Sequence, residues 1–312
     1  MVTQDLFTPG TVHYAGLLNA HGRVLHDLFV YKDILNLAGR PQSNPEEDFL
    51  VEVDAEEAGG LVKLIRFYKL KAKVDVRVLE EVKVWQVWDD ARGQVEVKGG
   101  MGVRDGRVEG LGWRVLMRGD ERPEVEVEEV GEEVYRLRRY LNGVAEGQSE
   151  ILKGALPLES NLDLCGGVGF RKGCYIGQEL TIRTKHRGVV RKRILPCVLY
   201  EEGEEVPQQL VYRPGFGEGL DAGMVGAETT ISRLGKKGRS PGKWLRGIGN
   251  VGLALCRLDI MTDVTLPGEE PGESFQPDAE FSVMAGGEEW TLVRIKPFVP
   301  GWLRKGVSED TH

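Results

Sequence analysis

Short apolar runs, each soon interrupted by glycine, proline, asparagine or acidic residues, restrict the fold of this chain more than any other feature. Runs of this kind are typical of β-strands joined by turns. They predict strands at residues 13–18, 24–31, 49–53, 74–79, 82–87 and 113–117. Two further stretches, residues 61–68 and 134–141, have apolar side chains three and four positions apart, which predicts helices. Strands and helices in this order indicate an α+β fold.

The last third of the chain has a different pattern. Strand-like segments at residues 194–200, 253–258, 281–284 and 290–295 are separated by loops of glycine, proline and acidic residues. This pattern predicts a small all-β domain, either a barrel or a sandwich. Residues 213–249 are rich in Gly, Lys, Ser and Arg, and we expect them to form a flexible insertion rather than part of the core.

The composition excludes several classes of protein. The chain of 312 residues is long enough for two or three domains, and it has no run of about twenty apolar residues that could span a membrane. Its net charge of −8 disfavours general nucleic-acid binding. The four cysteines, Cys165, Cys174, Cys197 and Cys256, are scattered with no CxxC pair. This spacing argues against a disulfide scaffold and against a self-contained metal site, and free thiols favour a reducing compartment.

One segment has the composition of a functional loop. It comprises Lys172, Gly173, Cys174, Tyr175, Ile176, Gly177, Gln178 and Glu179. The two glycines permit a tight turn that would present Cys174, and the cations Arg171 and Lys172 favour the thiolate, which is the form that ligates metal. Against this interpretation, an isolated cysteine is more often a small buried hydrophobe. The other three cysteines lie in apolar contexts, so we expect them to pack in the core.

The same region is basic, although the chain as a whole is acidic. Residues 171–193 contain eight cations and one acid, Glu179. The cations are Arg171, Lys172, Arg183, Lys185, Arg187, Arg191, Lys192 and Arg193. Such a run is usually a solvated face, but it could also bind an anion or an acidic partner. An RNA-binding role is disfavoured, because the run contains one aromatic residue, Tyr175, and base stacking needs several.

The Lys-Gly-Cys-Tyr-Ile-Gly-Gln-Glu segment resembles the signature of the YgfZ-like iron–sulfur cluster maturation factors, including their eukaryotic mitochondrial members. Five other blocks resemble the same family in the same order. They lie at residues 18–27, 105–114, 154–163, 181–193 and 252–258. By this resemblance the chain is identified as a member of that family, which belongs to the folate-binding superfamily of the glycine-cleavage T-protein.

The resemblance implies a T-protein-like arrangement of three lobes that ends in a β-barrel. Lobe one would combine residues 1–45 with residues 130–192, and lobe two would span residues 46–129. The barrel would occupy residues 193–312. The resemblance also implies a location in the mitochondrial matrix, although residues 1–10 lack the Arg- and Ser-rich character of a presequence.

The resemblance further implies a scaffold role in [4Fe–4S] protein maturation rather than a self-sufficient enzyme. In this family the protein works with A-type iron–sulfur carrier proteins, which supply [2Fe–2S] units. Because one cysteine cannot hold a cluster alone, Cys174 would share a [2Fe–2S] cluster with the carrier. The residues that would contact this partner are Arg183, Lys185, Arg187 and Arg191. We expect a monomer when the carrier is absent, with no binding to nucleic acid or membrane.

The likeness to the T-protein implies a tetrahydrofolate site formed by Asp27 and Glu159. Asp27 follows His26 where the T-protein has two adjacent acids, so Asp27 could contact the cofactor or be purely structural. Glu159 could accept the paired N–H donors of a pterin, or it could cap a helix or form a salt bridge. The alternative function is a folate-dependent aminomethyl transferase, which the replacement of one acid by His26 disfavours.

Overall fold

The computed structural model describes residues 12–42, 44, 47–90, 100–217, 220–236, 238–266, 275–286 and 291–309. These residues form two small antiparallel sheets of three strands each and a closed barrel of six strands. Helices are interspersed with the strands, which confirms the predicted α+β class. Within the described ranges, no helix has the length and apolar character needed to cross a membrane.

The first sheet is made by the amino-terminal hairpin and one later strand. Its strands are β1 (Val12–Leu18), β2 (Val24–Lys32) and β3 (Phe49–Glu52), in the spatial order β1–β2–β3. The turn of the hairpin is held by Asn19, whose side-chain oxygen accepts hydrogen bonds from the backbone N–H groups of His21 and Arg23. Asparagine commonly stabilises turns in this way, so the hairpin geometry follows from the local sequence.

Helix α1 (Ala58–Tyr68) packs against this sheet. A single 3-10 turn precedes the helix, and Asp54 caps that turn by accepting a hydrogen bond from the N–H of Glu56. Leu61 is buried against apolar side chains of β1 and β2. Burial of one side of the helix therefore fixes it to the sheet, while its carboxyl end is exposed to solvent.

The second sheet comprises β4 (Val82–Val87), β5 (Met101–Arg104) and β6 (Trp113–Arg118), with β6 in the centre. Val115 and Met117 of β6 pack with Val87 in a small core of their own. The central strand pairs with an edge strand on each side, so its backbone hydrogen bonds are satisfied within the sheet.

The strand predicted at residues 74–79 is absent, so this prediction is wrong. The carbonyl groups of Val74 and Val76 instead accept hydrogen bonds from the side chains of Lys69 and Arg66, at the end of α1. A valine-rich segment forms a strand only where a neighbouring strand offers a partner. Here the segment turns back on the helix instead.

Two helices come after the second sheet. Helix α2 (Glu132–Leu141) coincides with the helix predicted at residues 134–141. Helix α3 (Gln178–Arg187) contains part of the basic run, and the sequence analysis did not predict it. Leu180 and Ile182 are its two large apolar side chains, which is too few to give a helical repeat.

The barrel follows directly. Its strands are β7 (Lys192–Tyr200), β8 (Thr230–Arg233), β9 (Gly242–Ile248), β10 (Val251–Arg257), β11 (Phe281–Ala285) and β12 (Thr291–Pro297), in the closed order β10–β7–β12–β11–β8–β9. Two further helices, α4 (Leu258–Met261) and α5 (Gly301–Glu309), flank the strands. Trp290, predicted to begin the last strand, lies outside the described residues.

The structure corrects the prediction that residues 213–249 form a flexible insertion. The described part of this range supplies β8 and β9, two of the six strands of the barrel, and buries Ile231 and Trp244 completely. Gly247 in this range and Gly252 just after it have a packing role, because a Cβ on either would lie 2.5 Å or closer to other atoms, including those of the Trp244 ring. The glycine-rich composition therefore reflects close approach to a large side chain rather than flexibility.

The barrel packs against the first part of the chain rather than standing apart from it. Tyr140 of α2 and Leu253 of β10 belong to one apolar cluster, and Trp302 of α5 donates a hydrogen bond of 3.0 Å to the carbonyl of Asn142. A cavity of about 1270 Å³ is lined by residues of both sheets, of α2 and of the barrel residue Arg246.

Candidate functional site

Cys174 is the cysteine of this chain that solvent reaches. It lies in the Cys174 loop, residues 171–177, which leads into α3. The other three cysteines are buried, as predicted. Burial raises the pKa of Cys165 to about 12 and raises the pKa of Cys197 well above its usual value, which disfavours their thiolates. Cys174 is therefore the sulfur that can meet another molecule.

The Cys174 loop is anchored to the turn of the first hairpin through two glycines. Gly22 and Gly177 have φ angles of 73° and 81°, which favour glycine. A Cβ on Gly177 would lie against the carbonyl of Asn19 and 2.8 Å from the Cα of Gly22. A Cβ on Gly22 would lie 2.7 Å from the carbonyl oxygen of Gly177. The hairpin turn therefore holds the end of the loop in place only if both residues lack a side chain.

The remaining residues of the predicted motif divide into two groups. Tyr175 is half-buried, its ring lies 5.4 Å from the amine of Lys172, and its N–H donates a hydrogen bond of 3.1 Å to the side chain of Gln178. These contacts shape the loop. Gly173 and Glu179 are exposed beside Cys174. The motif thus combines a fixed backbone with a solvent-facing thiol.

The predicted partner-binding cations lie on and just after α3. Arg183 and Arg191 are exposed, and the amine of Lys185 lies 5.2 Å above the ring of Phe170. Arg187 is the last residue of the helix. The involvement of these four residues in partner binding stays a prediction.

Arg193, at the end of the basic run, differs from Arg183 and Arg191. Its guanidinium is buried and donates hydrogen bonds of 2.6 and 3.0 Å to the carboxylate of Asp163, and one of 2.6 Å to the carbonyl of Leu158. A buried arginine paired in this bidentate manner is a structural connection between β7 and the segment before the loop. Arg193 is therefore not among the cations of this run that could attract a partner.

The structure places Asp27 in the interior. Its carboxylate accepts hydrogen bonds from the Tyr14 hydroxyl at 3.1 Å and from the N–H of Gly147 at 3.2 Å, and it lines the cavity of about 1270 Å³. Burial, followed by repulsion from Glu146, raises the pKa of Asp27 to about 6. His26 is also buried.

Glu159 lies at a different cavity. This cavity has a volume of about 290 Å³ and four cationic lining residues, Arg191, Lys192, Arg239 and Arg257. The Glu159 carboxylate lies 4.0 Å from the amine of Lys192, as in its predicted alternative role in a salt bridge. Asp27 lines the large cavity and Glu159 lines the smaller one, and their role in tetrahydrofolate binding stays a prediction.

Sequence reasoning missed a buried ion-pair network beside the large cavity. Arg107 contacts Asp105 and Glu146, each at 2.7 Å. Arg114 contacts the same two acids at 3.3 and 3.2 Å, and also pairs with Glu52. Burial raises the pKa of Glu146. The positive charges of Arg107, Arg114 and Arg139 have the larger effect and hold this pKa well below the usual range.

The network joins parts of the chain that are far apart in sequence. Glu52 ends β3, Arg114 belongs to β6, and Glu146 follows α2. Both guanidinium groups also lie over the ring of Phe29, at 4.7 Å for Arg107 and 3.9 Å for Arg114. Residues 105–114 were noted for their family resemblance alone, so a signal was present but its role could not be assigned.

Nothing in the described ranges resembles a self-contained metal site. No group of three or more His, Cys, Asp or Glu side chains there could hold a metal ion. Cys174 could therefore serve as one ligand among several, with the others supplied by another molecule.

Comparison with known proteins decides the family. The chain is 50% identical to the mitochondrial iron–sulfur cluster assembly factor IBA57 homolog of Pyricularia oryzae, over 96% of this chain and 78% of that protein. It is 45% identical to the homolog of Neurospora crassa, over 97% of this chain and 76% of that protein. The chain belongs to the IBA57 family of iron–sulfur cluster assembly factors. Residues 191–305 match the family model of the CAF17 C-terminal beta-barrel domain.

The IBA57 family membership agrees with the fold. The crystal structure of the glycine cleavage system aminomethyltransferase T from Bartonella henselae matches this chain with a TM-score of 0.59, covering 96% of this chain and 78% of that one. The two sequences are 13% identical, so the likeness shows the fold alone. The predicted T-protein-like fold and family are confirmed. The relatives are named mitochondrial, which confirms the predicted mitochondrial location.

Proposed function

We propose that this chain assists the assembly of [4Fe–4S] clusters in the mitochondrial matrix by sharing a [2Fe–2S] cluster with an A-type iron–sulfur carrier protein. The observation that carries the proposal is the exposure of Cys174 on a glycine-flanked loop, which is followed along the chain by the exposed cations Arg183 and Arg191. The names of the relatives, iron–sulfur cluster assembly factors, support the class of function.

The ligand chemistry of the cluster requires a partner. A [2Fe–2S] cluster is usually held by four thiolates or equivalent ligands. Cys174 supplies one, and the described residues hold no second group of ligands near it. The carrier supplies the other ligands, and the cluster is bound between the two proteins as their common substrate.

Electrostatic attraction favours the encounter. A cluster bound by thiolates is anionic. Arg183 and Arg191 are exposed to solvent, as Cys174 is. Positive potential on one face raises the association rate with an anionic partner surface more than it raises the final affinity. Arg183 and Arg191 therefore speed docking, whereas Cys174 supplies the bond to iron.

Anchoring of the loop adds to the affinity. The contact between Gly22 and Gly177 fixes the end of the Cys174 loop before the partner arrives. A ligand that is already ordered loses less conformational entropy on binding. The hairpin turn thus prepares the thiol for its role.

Tetrahydrofolate has no step in this proposal, and Asp27 and Glu159, which line two cavities, remain the residues predicted to bind it. The alternative of an aminomethyl transferase needs a titrating group that reaches its substrate. Asp27 lines the large cavity, but its carboxylate already accepts hydrogen bonds from Tyr14 and Gly147, so we rank this alternative second.

The test replaces the thiol by a hydroxyl. Cys174→Ser is titrated under anaerobic conditions with an A-type carrier loaded with a [2Fe–2S] cluster, and complex formation is followed by visible absorption and circular dichroism. We expect the wild-type chain to alter the spectrum of the cluster and Cys174→Ser to lose that change, because serine is a poor ligand for iron in this setting. Unchanged binding and an unchanged spectrum would remove the shared-ligand proposal.

Two controls separate ligation from other effects. Cys165→Ala removes a buried thiol and should retain the spectral change, provided that circular dichroism shows a folded protein. Arg183→Glu with Arg191→Glu should slow association at low salt but leave the spectrum of the final complex intact, because these residues attract the partner without touching iron.

A further inference from the structure

A second basic surface is formed by a different segment of the chain from the Cys174 loop and has no part in the function proposed above. It comprises residues 63–77, which form the end of α1 and the segment after it, and we name it the α1 basic surface. It contains one acid, Asp75, and six cations, which are Lys63, Arg66, Lys69, Lys71, Lys73 and Arg77. In a chain with a net charge of −8, this concentration of positive charge needs a physical explanation.

Large apolar side chains are exposed among these cations. Phe67 is 74% exposed and Leu70 is 85% exposed, and Tyr68 and Val74 are about half exposed. The rings of Phe67 and Tyr68 meet edge to face with their centres 5.2 Å apart. Side chains so fully exposed protrude from the surface and do not line a groove. A cluster of this kind usually marks an interaction site.

The surface is a structured part of the fold. The guanidinium of Arg66 donates a hydrogen bond of 2.6 Å to the carbonyl of Val76, and the amine of Lys69 donates to the carbonyl of Val74. The guanidinium of Arg77 donates to the carbonyl of Ala38. Both arginines of the surface are thus engaged with backbone of this chain. Lys63, Lys71 and Lys73 are exposed around the apolar side chains.

We propose that the α1 basic surface binds an anionic phospholipid bilayer, with Phe67 and Leu70 inserted between the headgroups. Lysine is a hydrated point charge that interacts without a fixed geometry, which suits mobile lipid phosphates. Protruding aromatic and aliphatic side chains with a basic surround are the pattern of proteins that lie on a membrane. An acidic protein would be bound better by free arginine forks, and both arginines here are already engaged.

The net charge of the chain would orient the protein on the bilayer. The net charge of −8 repels the rest of the surface from an anionic bilayer, so the α1 basic surface would face the lipid. The sequence-based expectation of no membrane contact rested on the lack of a spanning segment. Peripheral binding needs no such segment, and it is reversible and sensitive to salt.

The test measures co-sedimentation of the full chain with vesicles at low and at physiological salt. One set of vesicles contains phosphatidylcholine alone, and in the other about a third of the lipid is phosphatidylglycerol, which is anionic. We expect at least about tenfold tighter binding to the anionic vesicles, with a loss as salt rises. Lys71→Glu with Lys73→Glu should lower that binding about tenfold or more, because two attractive charges become repulsive.

A second pair of variants tests insertion, and a third is the matched control. Phe67→Ser with Leu70→Ser should weaken binding severalfold while the lysines remain. Lys243→Glu with Lys305→Glu makes the same charge change at exposed lysines of the barrel region and should bind like the wild type. Thermal unfolding shows that each variant is folded.

Four outcomes would overturn the proposal. The first is equal binding to neutral and anionic vesicles, and the second is an equal loss in the barrel control. The third is undiminished binding after replacement of Phe67 and Leu70. A surface that instead docks an acidic protein would leave the wild-type chain unbound by vesicles, which also overturns it.

Discussion

Two groups of arginines in this protein illustrate two uses of the same side chain. Arg107 and Arg114, beside the large cavity, are buried and contact several carboxylates and the ring of Phe29. Arg183 and Arg191, near the Cys174 loop, are exposed. The buried group joins both sheets and the segment after α2, whereas the exposed group can attract a partner. Charge therefore supports the fold in one region and recognition in the other.

The largest effect is expected from removal of a buried cation. Arg114→Met leaves the carboxylates of Glu52, Asp105 and Glu146 with less positive charge around them, so we expect the free energy of unfolding to fall by about 3–5 kcal/mol. Urea unfolding measures this change. The matched variant Arg183→Met, on the exposed face of α3, should change stability by less than about 0.5 kcal/mol. Similar losses in the two variants would refute the division of the arginines into two groups.

The second prediction concerns the pH dependence of the interior. The pKa of Asp27 is raised to about 6, so the folded protein holds this proton more tightly than the unfolded chain does. The contribution of Asp27 to the free energy of unfolding is therefore most favourable below about pH 4 and is lost as the pH rises to about 6. Asp27→Asn removes the buried charge and can still accept from Tyr14 and Gly147.

We therefore expect Asp27→Asn to raise the free energy of unfolding at pH 7 by at most about 3 kcal/mol, with no gain near pH 4. Thermal or urea unfolding across this range of pH measures the difference. Asp278→Asn, at an exposed carboxylate, is the control and should show no such trend. A loss of stability in Asp27→Asn at pH 7 would mean that the fold needs the charge.

Local patterns allowed the sequence to predict much of the fold. The hairpin of β1 and β2 was predicted because its apolar runs flank an Asn-containing turn. Features that depend on distant partners were not predicted. The valines of residues 74–79 meet no neighbouring strand. The glycine-rich composition of residues 213–249 predicted flexibility, because the Trp244 ring that Gly247 borders is visible only in the folded barrel.

The same distinction between local patterns and distant partners applies to the candidate site. The Cys174 loop is a continuous motif, so its glycines and its thiol could be read from the sequence, and the structure adds the exposure of the thiol. The ion-pair network depends on Glu52, Arg114 and Glu146, which meet only after folding. Pairwise proximity of this kind has no signature in one sequence, and for the same reason the separation of Asp27 from Glu159 could not be predicted.

The smallest expected effect concerns the contact that links the hairpin to the Cys174 loop. Gly177→Ala places a side chain at a φ of 81° and against the carbonyl of Asn19, so we expect a loss of about 1–2 kcal/mol in the free energy of unfolding. Displacement of the loop should also weaken the binding of a cluster-loaded carrier severalfold. Urea unfolding and the anaerobic titration measure the two effects.

The matched control for this variant lies four residues earlier in the same loop. A Cβ on Gly173 would have no atom within 4 Å, and its φ is not positive. Gly173→Ala should therefore retain both stability and carrier binding, which makes position rather than glycine content the cause of the effect. If Gly173→Ala and Gly177→Ala behaved alike, the hairpin would not be what orders the thiol. The Cys174 loop would then be ordered independently of the first sheet.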